Sequence, residues 1–370
     1  MQEEQLIESI DKLLLEALDK RASDIHFEPY QHSYRIRMRI DGVLHDMLTP
    51  SPPLALAKQI TARLKIMSKL NIAEHRLPQD GQLVIDRYAM RIATLPVMNG
   101  EKIVLRVMDN HESELTINDL GLTDADLLTF RQILDYPQGL ILVTGPTGSG
   151  KTVTLYSGLK RLNKTERNIC SVEDPIEIPL EGINQTAINL KAGLTFAIVL
   201  RALLRQDPDV MMIGEIRDRE TAEIAIQAAQ TGHLVLSTLH TNSSVEAITR
   251  LNQMGIENYL LSSSLKLVIA QRLVRKLCPH CKVVAREQIK LDNEQVPHYV
   301  ASGCLRCIGG YKGRVGLYEL LVITPDMQKQ ILANQVVLPA NMTSLKMAGQ
   351  KLVKQGMTTL AELNRVLGDT

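Results

Sequence analysis

Residues 140–152 read LILVTGPTGSGKT. Gly145, Gly150, Lys151 and Thr152 fit the spacing G-x-x-x-x-G-K-[ST], with Pro146, Thr147, Gly148 and Ser149 between them. Glycines in such a loop let backbone N–H groups close around phosphate oxygens. A helix that begins at the lysine points its positive end at the same spot. Lys151 is therefore expected at the β- and γ-phosphates of ATP, and the Thr152 hydroxyl on Mg²⁺. The loop follows an apolar run and opens a helical pattern, which is the context this motif requires.

Hydrolysis needs more than binding: a second acid near the metal, and a group that aligns water. Two acidic clusters follow apolar runs, where α/β sheets place their sites. In DVMMIGE the carboxylate is Glu215, and Gly214 stands where an acid commonly follows four apolar residues directly. In SVEDPIE, Glu173, Asp174 and Glu177 crowd into five residues. His233 and His240 flank LVLSTL and are candidates for sensing the nucleotide.

A second chemistry lies downstream. Cys278-Pro-His-Cys281 and Cys304-Leu-Arg-Cys307 are two C-x₂-C pairs separated by 22 residues. Four thiolates at this spacing suit tetrahedral Zn²⁺ and leave no open position, so the role is structural. The metal stands in for a core that so short a segment cannot build. Cys170 stands alone in an apolar run and reads as a small hydrophobe.

These groups need a scaffold. From Thr123 onward the patterns alternate: helix 124–134, strand 140–144, helix 151–163, strand 168–172, helix 195–205, strand 209–213, helix 219–230 and strand 233–238. Alternation of this kind predicts an α/β domain with a parallel sheet covered by helices. Residues 325–368 have helical periodicity. Upstream, residues 3–20 form an amphipathic helical pattern. Tyr34 to Ile40 alternates Arg35, Arg37 and Arg39 with apolar residues, and Asp41-Gly42 makes a hairpin turn. Residues 54–70 are helical, and three more strands follow before residue 109. The expected organisation is a small α+β domain over 1–110, a polar linker over 111–122, an ATPase core over 123–277, a tetracysteine insert over 278–320 and a helical region over 321–370.

Composition narrows the function. Basic and acidic residues number 42 and 41, aromatics are 3% and tryptophan is absent. A polynucleotide binder usually has a basic surplus and stacking aromatics, so direct nucleic-acid binding is not expected. No run approaches the ~18 apolar residues of a membrane-spanning helix. The amino terminus is acidic and periodic rather than a secretory signal. A reducing, intracellular compartment is the default, which favours thiolate ligands over disulfides.

The motifs ASDIHFEP, RIDGVL, LPQDGQ, GEKIVLRVMD, GPTGSGKTVTLYSGL, VEDPIE, RQDPDVMMIGEIRD, AAQTGHLVLSTLHT, AQRLVRKLCPHC and GYKGRVGLYELL occur in this order. In this the chain resembles the traffic ATPases of type II secretion, type IV pilus assembly and competence. The resemblance implies a RecA-like P-loop core, an N-terminal PAS-like domain and a homohexameric ring. It implies that Glu177 activates water, that Glu215 is the metal-side acid and that His240 senses nucleotide state, with His233 in the same box. Glu173 and Asp174 belong to the acidic loop beside the nucleotide. The first domain would close over ATP and supply arginines, for which Arg39, Arg91 and Arg106 are the candidates. Many members carry a further amino-terminal docking domain, whereas this chain begins directly at the next one, as competence-type members do. The implied partner is an inner-membrane platform protein. The implied location is the cytoplasm, peripheral at the inner membrane. Retraction motors of the superfamily generally lack the tetracysteine insert, so its presence points to assembly. Retraction, and a RecA-type nucleic-acid translocase, are the alternatives.

Overall fold

The computed structural model describes residues 2–47, 52–86, 88–108, 115–291, 294–340 and 342–368. Two compact units divide the chain, residues 1–113 and 114–370.

The first unit opens with helix α1 (Gln2–Asp19), which buries Ile10, Leu14, Ala17 and Leu18 on one face. Strands β1 (Asp24–Pro29), β2 (Tyr34–Ile40) and β3 (Val43–Asp46) follow, then helix α2 (Ala57–Met67). Strands β4 (Gln79–Ile85), β5 (Tyr88–Val97) and β6 (Gly100–Met108) complete an antiparallel sheet of order β3-β2-β1-β6-β5-β4. Both turn residues expected at Asp41 and Gly42 have positive φ, 49° and 85°, the hairpin geometry that the right-handed strand twist favours. Alternation in β2 buries Tyr34, Ile36, Met38 and Ile40 and leaves the three arginines on the other face.

That polar face carries a charged row. Asp24 pairs in register with Arg39 on one side and Arg106 on the other, and Arg106 pairs with Arg91. The buried Asp24 carboxylate meets Arg106 Nε at 3.0 Å and Arg39 Nε at 3.6 Å. Glu28, four residues along β1, likewise takes Arg37 at 2.7 Å and Lys102 at 2.9 Å. The central strand thus supplies acids that hold basic side chains from both neighbours.

In the second unit, helix α3 (Asp124–Leu134) is capped by Thr123, whose side chain accepts from Asp126 N–H. The expected linker falls partly outside the described residues, over 111–114; a short 3-10 turn covers Ile117–Leu120. Strand β7 (Gly139–Thr144), helix α4 (Lys151–Leu162), β8 (Ile169–Glu173), β9 (Asn184–Ala187), α5 (Phe196–Leu203), β10 (Val210–Ile213), α6 (Arg219–Gln230) and β11 (Leu234–Leu239) then alternate. Helices α7 (Ser244–Gln253) and α8 (Asn258–Ser264) lead to a long strand, β12 (Leu265–Leu277). Every residue of β7, β8, β10 and β11 is buried, as strands covered on both faces must be.

After β12 come four short strands, β13 (Val283–Val284), β14 (Ile289–Leu291), β15 (Glu294–Val296) and β16 (Tyr299–Val300). Strand β17 (Tyr311–Val322) then returns antiparallel to β12. The seven-stranded sheet has order β17-β12-β7-β11-β10-β8-β9 and is parallel except at β17. This differs from the expected boundaries. Residues 311–322 are sheet, not part of a cysteine insert or a helical tail, so the insert proper covers 278–310. Helices α9 (Pro325–Leu332), α10 (Leu345–Lys354) and α11 (Leu360–Leu367) follow. Leu345, Val353 and Leu363 from the last two pack with Ala270, Val274 and Leu317 of the β12–β17 pair. No helix among the described residues is long and apolar enough to cross a membrane.

Candidate nucleotide site and cysteine cluster

The glycine-rich loop joins the end of β7 to the start of α4. Its root is tied to the segment after β11: Thr241 N–H donates to Thr144 Oγ1 at 2.9 Å, and the two threonine hydroxyls lie 2.7 Å apart. Gly145 has φ +154°, and a Cβ there would lie 2.5 Å from the Gln271 carbonyl oxygen and 2.6 Å from Ser149 Oγ. At Gly150, φ +85°, it would lie 2.9 Å from Gln271 Nε2. No side chain caps the amino end of α4, so its first N–H groups are left to an outside acceptor. The Ser149 hydroxyl is buried without a hydrogen-bond partner. Free donors around a loop that excludes Cβ atoms fit a polyphosphate.

Lys151 folds back on this loop, donating to the carbonyls of Gly145 at 2.9 Å and Pro146 at 3.1 Å. Burial pushes its ammonium down to about 8; Glu215 opposes the shift, Arg272 adds to it and Glu177 opposes it. Two carboxylates far apart in sequence therefore act on the same lysine.

Glu215 follows β10 by way of Gly214, whose N–H donates to Val172 O at 2.8 Å and whose carbonyl accepts from Thr238 Oγ1 at 2.7 Å. A Cβ at Gly214 would press on Val172 O at 3.3 Å and Glu173 Cα at 3.4 Å. The close strand approach explains why glycine stands here and the acid comes one residue later. The Glu215 carboxylate pairs with Arg217 and with His240 Nε2 at 3.3 Å. Burial lowers the imidazole of His240, the Lys151 charge lowers it further, and Glu215 opposes both. Beside this group a cleft of about 420 Å³ is lined by Arg217, His240, Asn242, Glu246 and Arg250.

Glu177 and Asp174 are exposed on the loop after β8. Glu173 is different. It is 3% exposed, and its oxygens accept from the hydroxyls of Tyr156 and Ser171 and from Gln185 Nε2 at 3.0 Å. Its carboxylate is committed to the protein rather than turned toward a nucleotide. His233 is also displaced from expectation. It precedes β11, and its Nδ1 lies 2.9 Å from Ala228 O. A strand carries its two ends to opposite edges of the sheet, so His233 sits roughly 20 Å from the edge that bears His240. Arg39, Arg91 and Arg106 belong to the first unit, in the row described above.

Two residues that sequence reasoning assigned no role support the loop from β12. Gln271 Oε1 accepts from Thr154 Oγ1 at 2.8 Å, under Gly150. Arg272 is 6% exposed and donates to Gln271 O at 2.9 Å and to Asn242 O at 3.0 Å, joining β12 to the segment after His240. The available signal was a polar pair, Gln-Arg, inside the apolar run LVIAQRLV.

The depressed lysine has a measurable consequence. Phosphate requires the charged form, so above about pH 8 binding must take up a proton. Nucleotide affinity is expected to fall about tenfold between about pH 7 and pH 9, and the fall should vanish in Lys151→Ala. Fluorescence titration checks the affinity, and calorimetry in two buffers checks the proton; a flat profile would contradict it.

The four cysteines come together at the ends of β12 and β17. Their sulfur atoms lie within 4.8 Å of one another, with Sγ–Sγ distances of 3.9 Å (Cys278–Cys304), 3.7 Å (Cys281–Cys307) and 3.7 Å (Cys304–Cys307). Disulfides would need about 2 Å. A tetrahedron of Zn–S bonds of about 2.3 Å has edges of about 3.8 Å, so the cluster fits zinc.

Residues 1–365 match the family described as Type II/IV secretion system protein. The chain belongs to that family. It is 56% identical over 376 residues to the Protein transport protein HofB homolog of Escherichia coli K12, covering 98% of this chain and 81% of that one. Against the type IV pilus assembly ATPase PilB of Acinetobacter baylyi it is 48% identical, covering 98% and 66%. Against the type II secretion system ATPase E of Vibrio cholerae it is 47% identical, covering 98% and 75%. The crystal structure of the pilus retraction motor PilT with bound ADP superposes with a TM-score of 0.66 at 29% identity, over 96% of each chain. The second unit is thus the RecA-like core of a secretion and pilus ATPase family, and the chain is an ATP-hydrolysing enzyme.

Proposed function

We propose that the chain is a homohexameric motor that spends ATP on building a pilus or pseudopilus, acting on an inner-membrane platform protein from the cytoplasmic side. The observation that carries the catalytic part is topological: β7, β8 and β10 run parallel, so the phosphate loop, the loop bearing Glu177 and the Glu215 segment all leave the same end of the sheet, and both acids' charges act on Lys151. Thr152 and Glu215 would hold Mg²⁺, which when bound neutralises charge between the phosphates. Lys151 would leave the loop carbonyls for the β/γ oxygens. The exposed Glu177 carboxylate would accept a proton from the attacking water and orient it. Asp174 stands beside it on the same loop. His240, paired with Glu215, would report the presence of the γ-phosphate. The Arg39–Asp24–Arg106–Arg91 row offers surplus positive charge of the kind that offsets a transferring phosphoryl group. In the second unit, Zn²⁺ on Cys278, Cys281, Cys304 and Cys307 would be structural.

Assembly is favoured over retraction by the cysteine cluster and by relatives named for pilus assembly and type II secretion at 47–48% identity, against 29% for the retraction motor. The test is a strain whose own copy is replaced by Lys151→Ala, scored for surface pili, secreted proteins and transformability. Loss of one of these, restored by the parent chain, is expected. An excess of surface pili would instead point to retraction, and an unchanged strain would overturn the motor reading.

A further inference from the structure

We propose that Tyr156 is a positioning residue for hydrolysis, its hydroxyl fixing the loop that carries Glu177 onto the helix that carries Lys151 and Thr152. The inference rests on the reading of Glu177 as the water-orienting carboxylate.

Tyr156 lies four residues after Thr152 on α4, so the two hydroxyl-bearing side chains share one helix face. The tyrosine is 2% exposed within the apolar cluster that backs the helix. Its O–H donates to Glu173 Oε2. The other oxygen of Glu173 accepts from Gln185 Nε2 at 3.0 Å, and the same amide nitrogen donates to Ile178 O at 3.1 Å. Gln185 Oε1 accepts from Leu180 N–H at 2.6 Å. One network, buried at Glu173 and half-buried at Gln185, therefore grips the loop at its entry, Glu173, and at its exit, Ile178 and Leu180. Glu177 stands between these anchors, exposed.

Packing alone would not ask for the hydroxyl, because phenylalanine fills the same space. A buried carboxylate does ask for donors. Burial, with the Glu173 charge, holds the phenol far above its ordinary range, so it stays protonated and keeps donating. A displacement of about 1 Å of a water-orienting group can slow chemistry about a hundredfold without touching substrate binding. The network thus couples the helix that grips the phosphates to the group that attacks them.

The test measures steady-state phosphate release and the dissociation constant of a fluorescent ATP analogue in the full chain. The variants are Tyr156→Phe, Glu177→Gln and the double variant. Tyr156→Phe is expected to lower kcat by roughly 10–100-fold while nucleotide affinity moves less than about threefold. The double variant is expected to be no slower than Glu177→Gln within about twofold, because the hydroxyl acts through the carboxylate. Should Tyr156→Phe fail to fold, Glu173→Gln turns one of the two accepting oxygens into an NH₂ donor facing other donors, which breaks the network instead and is expected to give the same split. A slow Glu177→Gln beside an unaffected Tyr156→Phe, or losses that multiply in the double variant, overturns this proposal alone. Parental hydrolysis by Glu177→Gln would overturn the assignment of Glu177 and this proposal with it.

Discussion

Replacing Lys151 with alanine is expected to lower ATP hydrolysis by roughly 10²–10³-fold, the scale of one lost electrostatic group at a phosphoryl site. The ammonium sits on the Gly145 and Pro146 carbonyls, at the amino end of α4. It is the one side-chain cation within residues 145–152. The same substitution should not weaken the nucleotide-free protein near neutral pH. A lysine whose folded pKa lies below its unfolded value disfavours folding at pH below about 8, and the penalty fades as pH rises toward the unfolded value. Lys151→Ala removes that penalty. Its melting temperature without nucleotide should equal or exceed the parent's at pH 7, and the gain should shrink above about pH 8. A variant that loses hydrolysis by melting would show the opposite, and calorimetry separates the two.

Removal of the metal from the four cysteines is expected to unfold the segment 278–310 while leaving the ATPase sheet intact. The segment has little core of its own: Leu291 and Cys278 are buried, whereas Val283, Val284, Val300 and Leu305 are exposed. Its two β-ladders hold only two and three residue pairs each. Structural zinc contributes about 10–16 kcal/mol of binding energy in small finger peptides, far more than such ladders supply. By contrast β12 and β17 pair in one register from Leu267–Val322 to Arg275–Arg314, and beyond a register shift again at Leu277–Tyr311. Chelation, or Cys281→Ser with Cys304→Ser, should therefore abolish amide-exchange protection in 278–310 and fray only the last pairs of β12 and β17. Elemental analysis of the parent should give about one zinc per chain; clearly less would contradict the tetracysteine reading.

What could be read in the sequence followed contiguity. The phosphate loop and the two cysteine pairs announce themselves because their chemistry needs residues at fixed short spacings. The Arg35–Arg37–Arg39 alternation likewise marks a strand with one polar face. The long β12–β17 pair escaped notice because LKLVIAQRLVRKL places apolar residues at both helical and strand intervals, and its pairing partner lies some forty residues on. Gly214 was visible as an oddity, but the reason, a backbone passing 3.3 Å from its would-be Cβ, is tertiary. Glu173 read as one of three equivalent loop acids; only the fold brings Tyr156 and Gln185 to it and leaves Glu177 and Asp174 outside. His233 and His240 looked like a pair because they are close in sequence. Strand direction separates them, one at each end of β11.

The convergence of loop and carboxylate on one nucleotide can be tested by loading Glu177→Gln with ATP and Mg²⁺, quenching at intervals and separating the bound products. This variant is expected to bind ATP as tightly as the parent and hold it intact, with cleavage on the chain at least about a hundredfold slower. Conversion of the bound ATP to ADP at the parental rate would contradict it.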